Sequence, residues 1–120
     1  MPAPHTPVLD RTTLDGIRQL DDGSGRLLAQ VIQLYVEGAP GLLGELRRGF
    51  DGHDVELVKR AAHTLKSSSG NVGALRLAEL CRRIETAARA GTLGPDVPQA
   101  DEIASEFEQV RAALEAEAAK

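Results

Sequence analysis

The stretch AAHTLKSSSGNVGALRLAELCRRIE, residues 61–85, combines a helical apolar pattern with a single histidine. We predict a helix over residues 54–71, and at about 100° per residue one of its sides is apolar apart from one serine. The residues on that side are Leu57, Val58, Ala61, Leu65, Ser68 and Val72. His63 projects from nearly the opposite side, so the pattern predicts an imidazole that faces solvent and not the core.

The residues predicted to surround His63 are charged or small. They are Glu56, Lys59, Arg60, Lys66, Ser67 and Gly70. An exposed histidine in this setting has three interpretations: a surface residue without a role, a metal ligand, or a nucleophile. Zinc sites need three or four protein ligands at short spacings. No second His, Cys or carboxylate completes such a set around His63, so no metal site is predicted.

Nucleophilic chemistry on the imidazole itself is the third interpretation. An imidazole is largely neutral at pH 7, so a ring nitrogen can attack phosphorus. The product carries about two negative charges, which Lys66 at i+3 is placed to offset. The small side chains of Ser67 and Gly70 leave space beside the imidazole, so a phosphodonor that is itself a folded protein could approach it. No Ser–His–Asp set can be assembled and no glycine-rich ATP loop is present, which argues against hydrolase and kinase activity.

The composition of the chain narrows the class of protein further. With 120 residues, 42% of them hydrophobic and 2% aromatic, the chain predicts one domain with an aliphatic core. A formal net charge of −4 argues against nucleic-acid binding. The single cysteine excludes an internal disulfide and favours a reducing, cytoplasmic location. We predict no membrane span and no signal peptide.

Apolar periodicity and turn residues predict an all-α fold, with no convincing strand. The prolines of residues 1–8 predict a flexible leader before a domain at residues 9–118. The predicted helices are a short one at 10–20, a second from Ser24 with a bend or restart at 38–41, and three more at 54–71, 74–90 and 96–118. Four long amphipathic helices with short connections predict an antiparallel up-and-down four-helix bundle, with the short N-terminal helix packed against it.

The quoted stretch resembles the signature of histidine-containing phosphotransfer (Hpt) domains of phosphorelays. That signature runs approximately A-H-x-L-K-G-[SA]-[SA]-x-x-x-G, with a leucine-rich helix after it. LLAQVIQLYVEGAPGLLGELRRGF, residues 27–50, is similar to the helix pair that precedes the signature in this family. The resemblance extends over about residues 9–114.

The resemblance implies a role for each matching residue. His63 would be the phosphorylated histidine and Lys66 the lysine that stabilises the phosphoryl group. Gly70 and Gly73 match small positions of the motif. Glu85 stands where family members often carry Glu or Gln beside the histidine, and Arg89 lies one turn later.

One position departs from the family pattern. Ser67 replaces the usual glycine after the lysine, and its side chain would narrow the gap between a partner and the imidazole. Docking of the partner is expected around His63, and our candidates for this surface are Leu14, Ile17, Leu28 and Arg60. Cys81 is expected to be an inert core residue, and His53 a solvated loop residue.

The function implied by the resemblance is that of a relay intermediate. His63 would accept a phosphoryl group from a receiver-domain aspartate of a response regulator and pass it to another receiver aspartate. The partners implied are receiver domains and a hybrid sensor histidine kinase. No intrinsic cofactor is expected, Mg²⁺ is expected on the receiver, and the chain is expected to be monomeric.

Three alternatives stay open at this point. The chain could be an Hpt-like adaptor that binds receivers without phosphotransfer, for which Ser67 is the only hint. It could also be a segment of a hybrid sensor kinase. The phosphoacceptor domain of a chemotaxis-type kinase is the third alternative, although such a domain normally begins a much longer chain.

Overall fold

The computed structural model describes residues 8–120, which form five α-helices and no strand. The helices are α1 (Arg11–Leu20), α2 (Arg26–Asp51), α3 (Val55–Asn71), α4 (Leu75–Ala90) and α5 (Ala100–Ala118). This confirms the predicted all-α bundle with a short first helix. Of the predicted leader, residues 1–7 lie outside the described part, and Val8 packs against the core.

The second helix runs without interruption through the predicted break, because Pro40 lies inside α2. Proline removes one backbone donor, which weakens a helix locally. Pro40 is on the exposed side of α2, whereas Tyr35, Ala39 and Leu46 bury the other side before and after it. Burial of this continuous apolar side stabilises the helix on both sides of the proline, so the helix does not restart.

The start of α2 also differs from the prediction, because Ser24 is not its N-cap. Gly25 occupies that position in the left-handed conformation, with φ of 81°, and makes no side-chain cap. The carboxylate of Asp21 accepts the backbone N–H groups of Gly23, Gly25 and Leu27 at 2.9, 2.7 and 2.9 Å. Asp21 therefore satisfies two donors at this helix end from four and six residues upstream, while the hydroxyl of Ser24 accepts the N–H of Arg26 at 3.2 Å.

The last helix begins at Ala100, four residues later than predicted. Pro98 disfavours the helical conformation of the residue before it, so Val97 lies in the loop. Gln99 stabilises that loop, since its side-chain amide donates to the carbonyls of Gly94 and Val97 at 3.0 and 2.9 Å. The predicted start at residue 96 was therefore wrong, because the apolar spacing of the sequence continues through a turn that Pro98 imposes.

Helices α2 to α5 form the bundle, in which α3 packs between α2 and α4, and α5 closes against α2 and α4. Short connections at residues 52–54 and 72–74 make consecutive helices antiparallel neighbours. The fully buried large side chains form one aliphatic core, namely Leu14, Leu46, Val58, Leu65, Leu77, Ile84, Ile103, Val110 and Leu114. No described helix is both long and apolar enough to cross a membrane.

Helix α1 is seated on the turn between α3 and α4. The backbone N–H of Asp10 donates to the carbonyl of Gly73 at 2.7 Å. Gly73 has φ of 80°, and a Cβ at that position would lie 2.9 Å from the Asp10 carbonyl oxygen and 3.2 Å from Cβ of Thr13. Only glycine combines this backbone conformation with so close an approach.

The core serine of α3 is Ser69 and not Ser68, which is half-buried. The hydroxyl groups of Ser69 and Tyr35 lie 2.8 Å apart in a hydrogen bond between α3 and α2. The prediction was therefore wrong by one residue at the C-terminal end of α3, where the buried side includes Ser69 in place of Ser68. Since a buried hydroxyl is costly without a partner, the Tyr35 pairing explains why serine is tolerated there.

Candidate functional site

His63 and Lys66 lie on the side of α3 that faces away from the core, as predicted. The His63 side chain is 57% exposed, whereas Ala62 and Leu65, its neighbours along the helix, are fully buried. Asp54 caps the start of α3 by accepting the backbone N–H of Leu57 at 3.1 Å. The packing of α3 between α2 and α4 thus fixes the direction in which the imidazole points.

Glu85 on α4 is the centre of the site. Its carboxylate oxygen Oε2 lies 2.8 Å from Nδ1 of His63, and Oε1 accepts a hydrogen bond from Nζ of Lys66 at 2.6 Å. Arg89, one turn later on α4, donates to Oε2 from its guanidinium at 2.7 Å. One carboxylate therefore brings together the imidazole and two cations from adjacent helices.

The surroundings of Glu85 keep its carboxylate ionised. The side chain is 5% exposed, and this burial by itself would raise the pKa. The hydrogen bonds from Lys66, Arg89 and His63 outweigh burial and lower the pKa of Glu85 to about 2. A negative charge is thus held directly behind the exposed imidazole at all physiological pH values.

This geometry selects one tautomer of the neutral imidazole. An ionised carboxylate only accepts hydrogen bonds, so Nδ1 of His63 must carry the proton that is donated to Glu85. The lone pair of the neutral ring then resides on Nε2, which is directed away from Glu85. Of the two ring nitrogens, Nε2 is therefore the one whose lone pair is available outside the chain.

A hollow of about 300 Å³ opens beside the imidazole, between α3 and the C-terminal part of α4. The residues that line it are Glu56, Lys59, Arg60, His63, Glu85 and Arg89. Lys66 lies at the other side of the imidazole, towards the C-terminus of α3. Cationic side chains thus flank His63 on both sides.

The small residues of the motif separate into two groups in the structure. Ser67 is exposed and Gly70 half-buried on α3, and a Cβ at Gly70 would meet nothing within 4 Å. Gly73, by contrast, is buried under α1 and serves the seating of that helix. The structure brings Glu85 and Arg89 to His63, but it gives Gly73 a role in the fold.

Two of the four docking candidates are wrong, because their side chains belong to the core. Leu14 is fully buried and Leu28 is 5% exposed. Both satisfy the 3–4 residue spacing of a helix stripe, and it is the packing of α1 onto α2 that covers them. Ile17 is half-buried, while Arg60 is exposed and lines the hollow.

Cys81 and His53 have the environments that the sequence predicted. Cys81 is buried, and burial raises the pKa of its thiol to about 12, so it is inert as a nucleophile. His53 is exposed in the turn between α2 and α3, with φ of 53°. Within residues 8–120 no group of three or more His, Cys, Asp and Glu side chains is placed to hold a metal ion.

Glu85 lies beside His63, where the resemblance placed it, but helical spacing alone did not single it out. A signal for its position was present in the sequence. Glu85 follows Ile84 and precedes Ala88 on the buried stripe of α4, and Arg89 stands at i+4, where it can neutralise a partly buried carboxylate. What the spacing along α4 could not show is that Lys66 and His63 of α3 converge on the same carboxylate.

The similarity to known proteins agrees with this geometry. The family model described as Hpt domain matches residues 30–113. Histidine-containing phosphotransfer protein 2 of Arabidopsis thaliana is 36% identical over 64 residues, which is 51% of this chain and 41% of that protein. The chain thus aligns with less than half the length of this curated relative.

A solved structure supports the fold. The crystal structure of histidine-containing phosphotransfer protein B (HptB) from Pseudomonas aeruginosa PAO1 superposes with a TM-score of 0.83. The superposition covers 95% of this chain and 96% of that one, at 24% identity. With the family model matched from within α2 to within α5, this chain belongs to the Hpt domain family.

Proposed function

We propose that this chain is a phosphorelay intermediate with His63 as its phosphoacceptor. Nε2 of His63 attacks the phosphorus of an aspartyl phosphate on a receiver domain, and a second receiver aspartate later takes the group. The observation that carries the proposal is the 2.8 Å contact between Nδ1 of His63 and the Glu85 carboxylate. It leaves Nε2 as the lone-pair nitrogen of a largely exposed ring.

The proposed transfer forms one N–P bond and breaks one P–O bond. The donor aspartate leaves as a carboxylate, and no proton has to move because Nδ1 keeps its hydrogen. The phosphorylated ring then carries a positive charge, which the Glu85 carboxylate stabilises at hydrogen-bonding distance. In the reverse direction the imidazole leaves as the same neutral tautomer, so the site suits transfer both to and from histidine.

Lys66 and Arg89 would offset the charge of the phosphoryl group itself. Both are held by Glu85, at 2.6 and 2.7 Å, on α3 and α4. Lys66 is 34% exposed and Arg89 63% exposed, so both remain accessible from outside. The chain would act without kinase or hydrolase activity of its own. Mg²⁺ on the receiver would supply further charge neutralisation.

The proposed partners are receiver domains and a hybrid sensor histidine kinase, in the cytoplasm, with this chain as a monomer. The family and the exposed nucleophile support this setting. Sedimentation of the chain alone and with a receiver domain tests the monomer, and binding to a receiver without any transfer would favour the adaptor alternative instead.

The phosphoacceptor is tested by incubating the chain with a labelled, phosphorylated receiver domain. The wild type is expected to take up label that is labile to acid and stable to base. His63→Gln should take up none, while the matched control His53→Gln should behave as the wild type. Equal labelling of His63→Gln and the wild type would refute the proposal, and ¹⁵N–³¹P coupling in the labelled protein identifies the modified nitrogen.

A further inference from the structure

The surroundings of His63 are positively charged in a chain whose formal net charge is −4. Four basic side chains and two carboxylates lie around the imidazole. They are Lys59, Arg60, Lys66 and Arg89 on one hand, and Glu56 and Glu85 on the other. The site therefore stands out electrostatically from the acidic remainder of the surface.

Three of these four cations already have a carboxylate partner. Lys66 and Arg89 both bind Glu85. Lys59 forms an exposed ion pair with Glu56 at 3.1 Å. Their charges are thus partly compensated within the chain.

Arg60 is different, because its guanidinium makes no hydrogen bond or ion pair with any residue from 8 to 120. Only its backbone carbonyl is engaged, as the acceptor of the Thr64 hydroxyl at 3.1 Å. Arg60 is exposed, lines the hollow, and precedes His63 by three residues, which makes the two neighbours on the helix surface. A guanidinium offers five donors in a planar fork that fits a carboxylate.

We propose that Arg60, with the hollow beside it, recognises carboxylates on an acidic surface of the phosphodonor protein. The inference rests on the proposed function and names the chemistry of the partner. Mg²⁺ takes carboxylate ligands in proteins, and Mg²⁺ on the receiver is part of the proposed function, so acidic side chains would line the rim of the donor site. Arg60 is one helical turn from the nucleophile, where it meets such a rim when the imidazole reaches the phosphorus.

The test compares transfer rates from a phosphorylated receiver domain to the full chain and its variants. Arg60→Gln is expected to lower kcat/KM two- to fivefold at low ionic strength, the range of one exposed ion pair. Arg60→Glu should lower it by about tenfold. Arg48→Glu introduces the same charge change at an exposed position of α2 outside the hollow, and it should stay within about twofold of the wild type.

Salt and saturation distinguish docking from chemistry. The difference between Arg60→Glu and the wild type should vanish near 1 M salt, where charges are screened within about 3 Å. The rate at saturating receiver should not change. A loss of the saturating rate with unchanged KM would refute the inference, as would equal effects of Arg60→Glu and Arg48→Glu.

A small acyl phosphate as donor separates a protein surface from a simple anion. If Arg60→Glu slows labelling by acetyl phosphate as much as labelling by the receiver, the hollow binds phosphate and the proposed partner surface is wrong. A wild type that takes up no label from any donor would refute the proposed function itself. Labelling that depends on His63 but not on Arg60 would refute only the present inference.

Discussion

Nδ1 of His63 and Oε2 of Glu85 lie 2.8 Å apart, so a buried carboxylate of one helix orients an exposed imidazole of the next. The same carboxylate holds Lys66 and Arg89 on either side. The chain therefore presents an exposed imidazole of defined tautomer with cations beside it. This arrangement is what the proposed phosphorelay intermediate requires.

Removal of Glu85 should weaken the preference of neutral His63 for the tautomer with its proton on Nδ1. In Glu85→Ala the hydrogen bond at Nδ1 is lost, and we expect the tautomer ratio to shift by roughly fivefold, or ~1 kcal/mol for a partly exposed bond. ¹⁵N NMR of the imidazole at a pH where the ring is neutral measures the protonation of each nitrogen. Glu85→Gln, whose amide oxygen still accepts a hydrogen bond, is the control. A proton found on Nε2 in the wild type would contradict the assignment.

The stability of the fold should fall in acid as two carboxylates are protonated. Glu85 and Glu117 both have their pKa lowered to about 2 from an ordinary value of 4.5. A lowered pKa contributes stability that is complete above pH 4.5 and is lost as the pH falls towards 2. Around Glu117 the cause is hydrogen bonding by Arg11, Arg18 and Lys120, which ties α1 to the end of α5.

Urea unfolding between pH 7 and pH 2 measures this dependence. We expect Glu85→Gln and Glu117→Gln each to reduce the decline in unfolding free energy, and the double variant to decline least. Part of the decline should remain, because backbone hydrogen bonds also lower the pKa of Asp21. The contribution of Glu85 should be on the order of 1–2 kcal/mol after solvent screening. An unchanged slope in the double variant would show that other groups cause the acid sensitivity.

Two glycines of the motif should respond in opposite directions to alanine. Gly70 lies in the last turn of α3 with open space at its Cβ position, so Gly70→Ala should raise the unfolding free energy by up to about 0.5 kcal/mol. Gly73→Ala should lower it by about 1–3 kcal/mol, because of its positive φ and the close contact with Asp10. Thermal and urea unfolding of both variants checks the signs, and destabilisation by Gly70→Ala would contradict the packing described.

The hydrogen bond between Tyr35 and Ser69 should show coupling in a double-mutant cycle. Tyr35→Phe and Ser69→Ala each leave one buried hydroxyl without its partner, at a cost of about 1–2 kcal/mol. The double variant should cost less than the sum, with a coupling of about 1 kcal/mol. Ser68→Ala, at a half-buried position, is the control and should be nearly neutral. Strict additivity would mean that the two hydroxyls do not interact.

The size of residue 67 should control transfer from a protein donor but not from a small one. Ser67 is exposed one turn after His63. Ser67→Gln is expected to lower the rate from a phosphorylated receiver by about tenfold or more, because the longer side chain displaces the partner from the imidazole. Labelling by acetyl phosphate should be unaffected.

The reverse substitution addresses the departure from the family pattern. Ser67→Gly should transfer at least as fast as the wild type, while helix stability decreases by about 0.5 kcal/mol. A slower Ser67→Gly variant would show that the serine hydroxyl contributes to transfer.

Much of the architecture could be predicted because it depends on local properties. The start of α1 and of α3 near Asp10 and Asp54, the apolar side of α3 and the exposure of His63 all follow from residue type and helical spacing. The errors occurred where a distant or neighbouring group overrides spacing. Pro98 delays α5, Asp21 joins Ser24 in satisfying the start of α2, and the packing of α1 removes Leu14 from the surface.

The sequence by itself determined the helices, the outward direction of His63 and the presence of Lys66 one turn away. These are consequences of a period of 3.6 residues, which is a property of one helix. Only the tertiary structure decided that Glu85 meets His63, Lys66 and Arg89 at one point, that Ser69 is paired with Tyr35, and that Gly73 belongs to the seat of α1. Each of these depends on how two helices are set against each other, and no periodicity within a single helix contains that information.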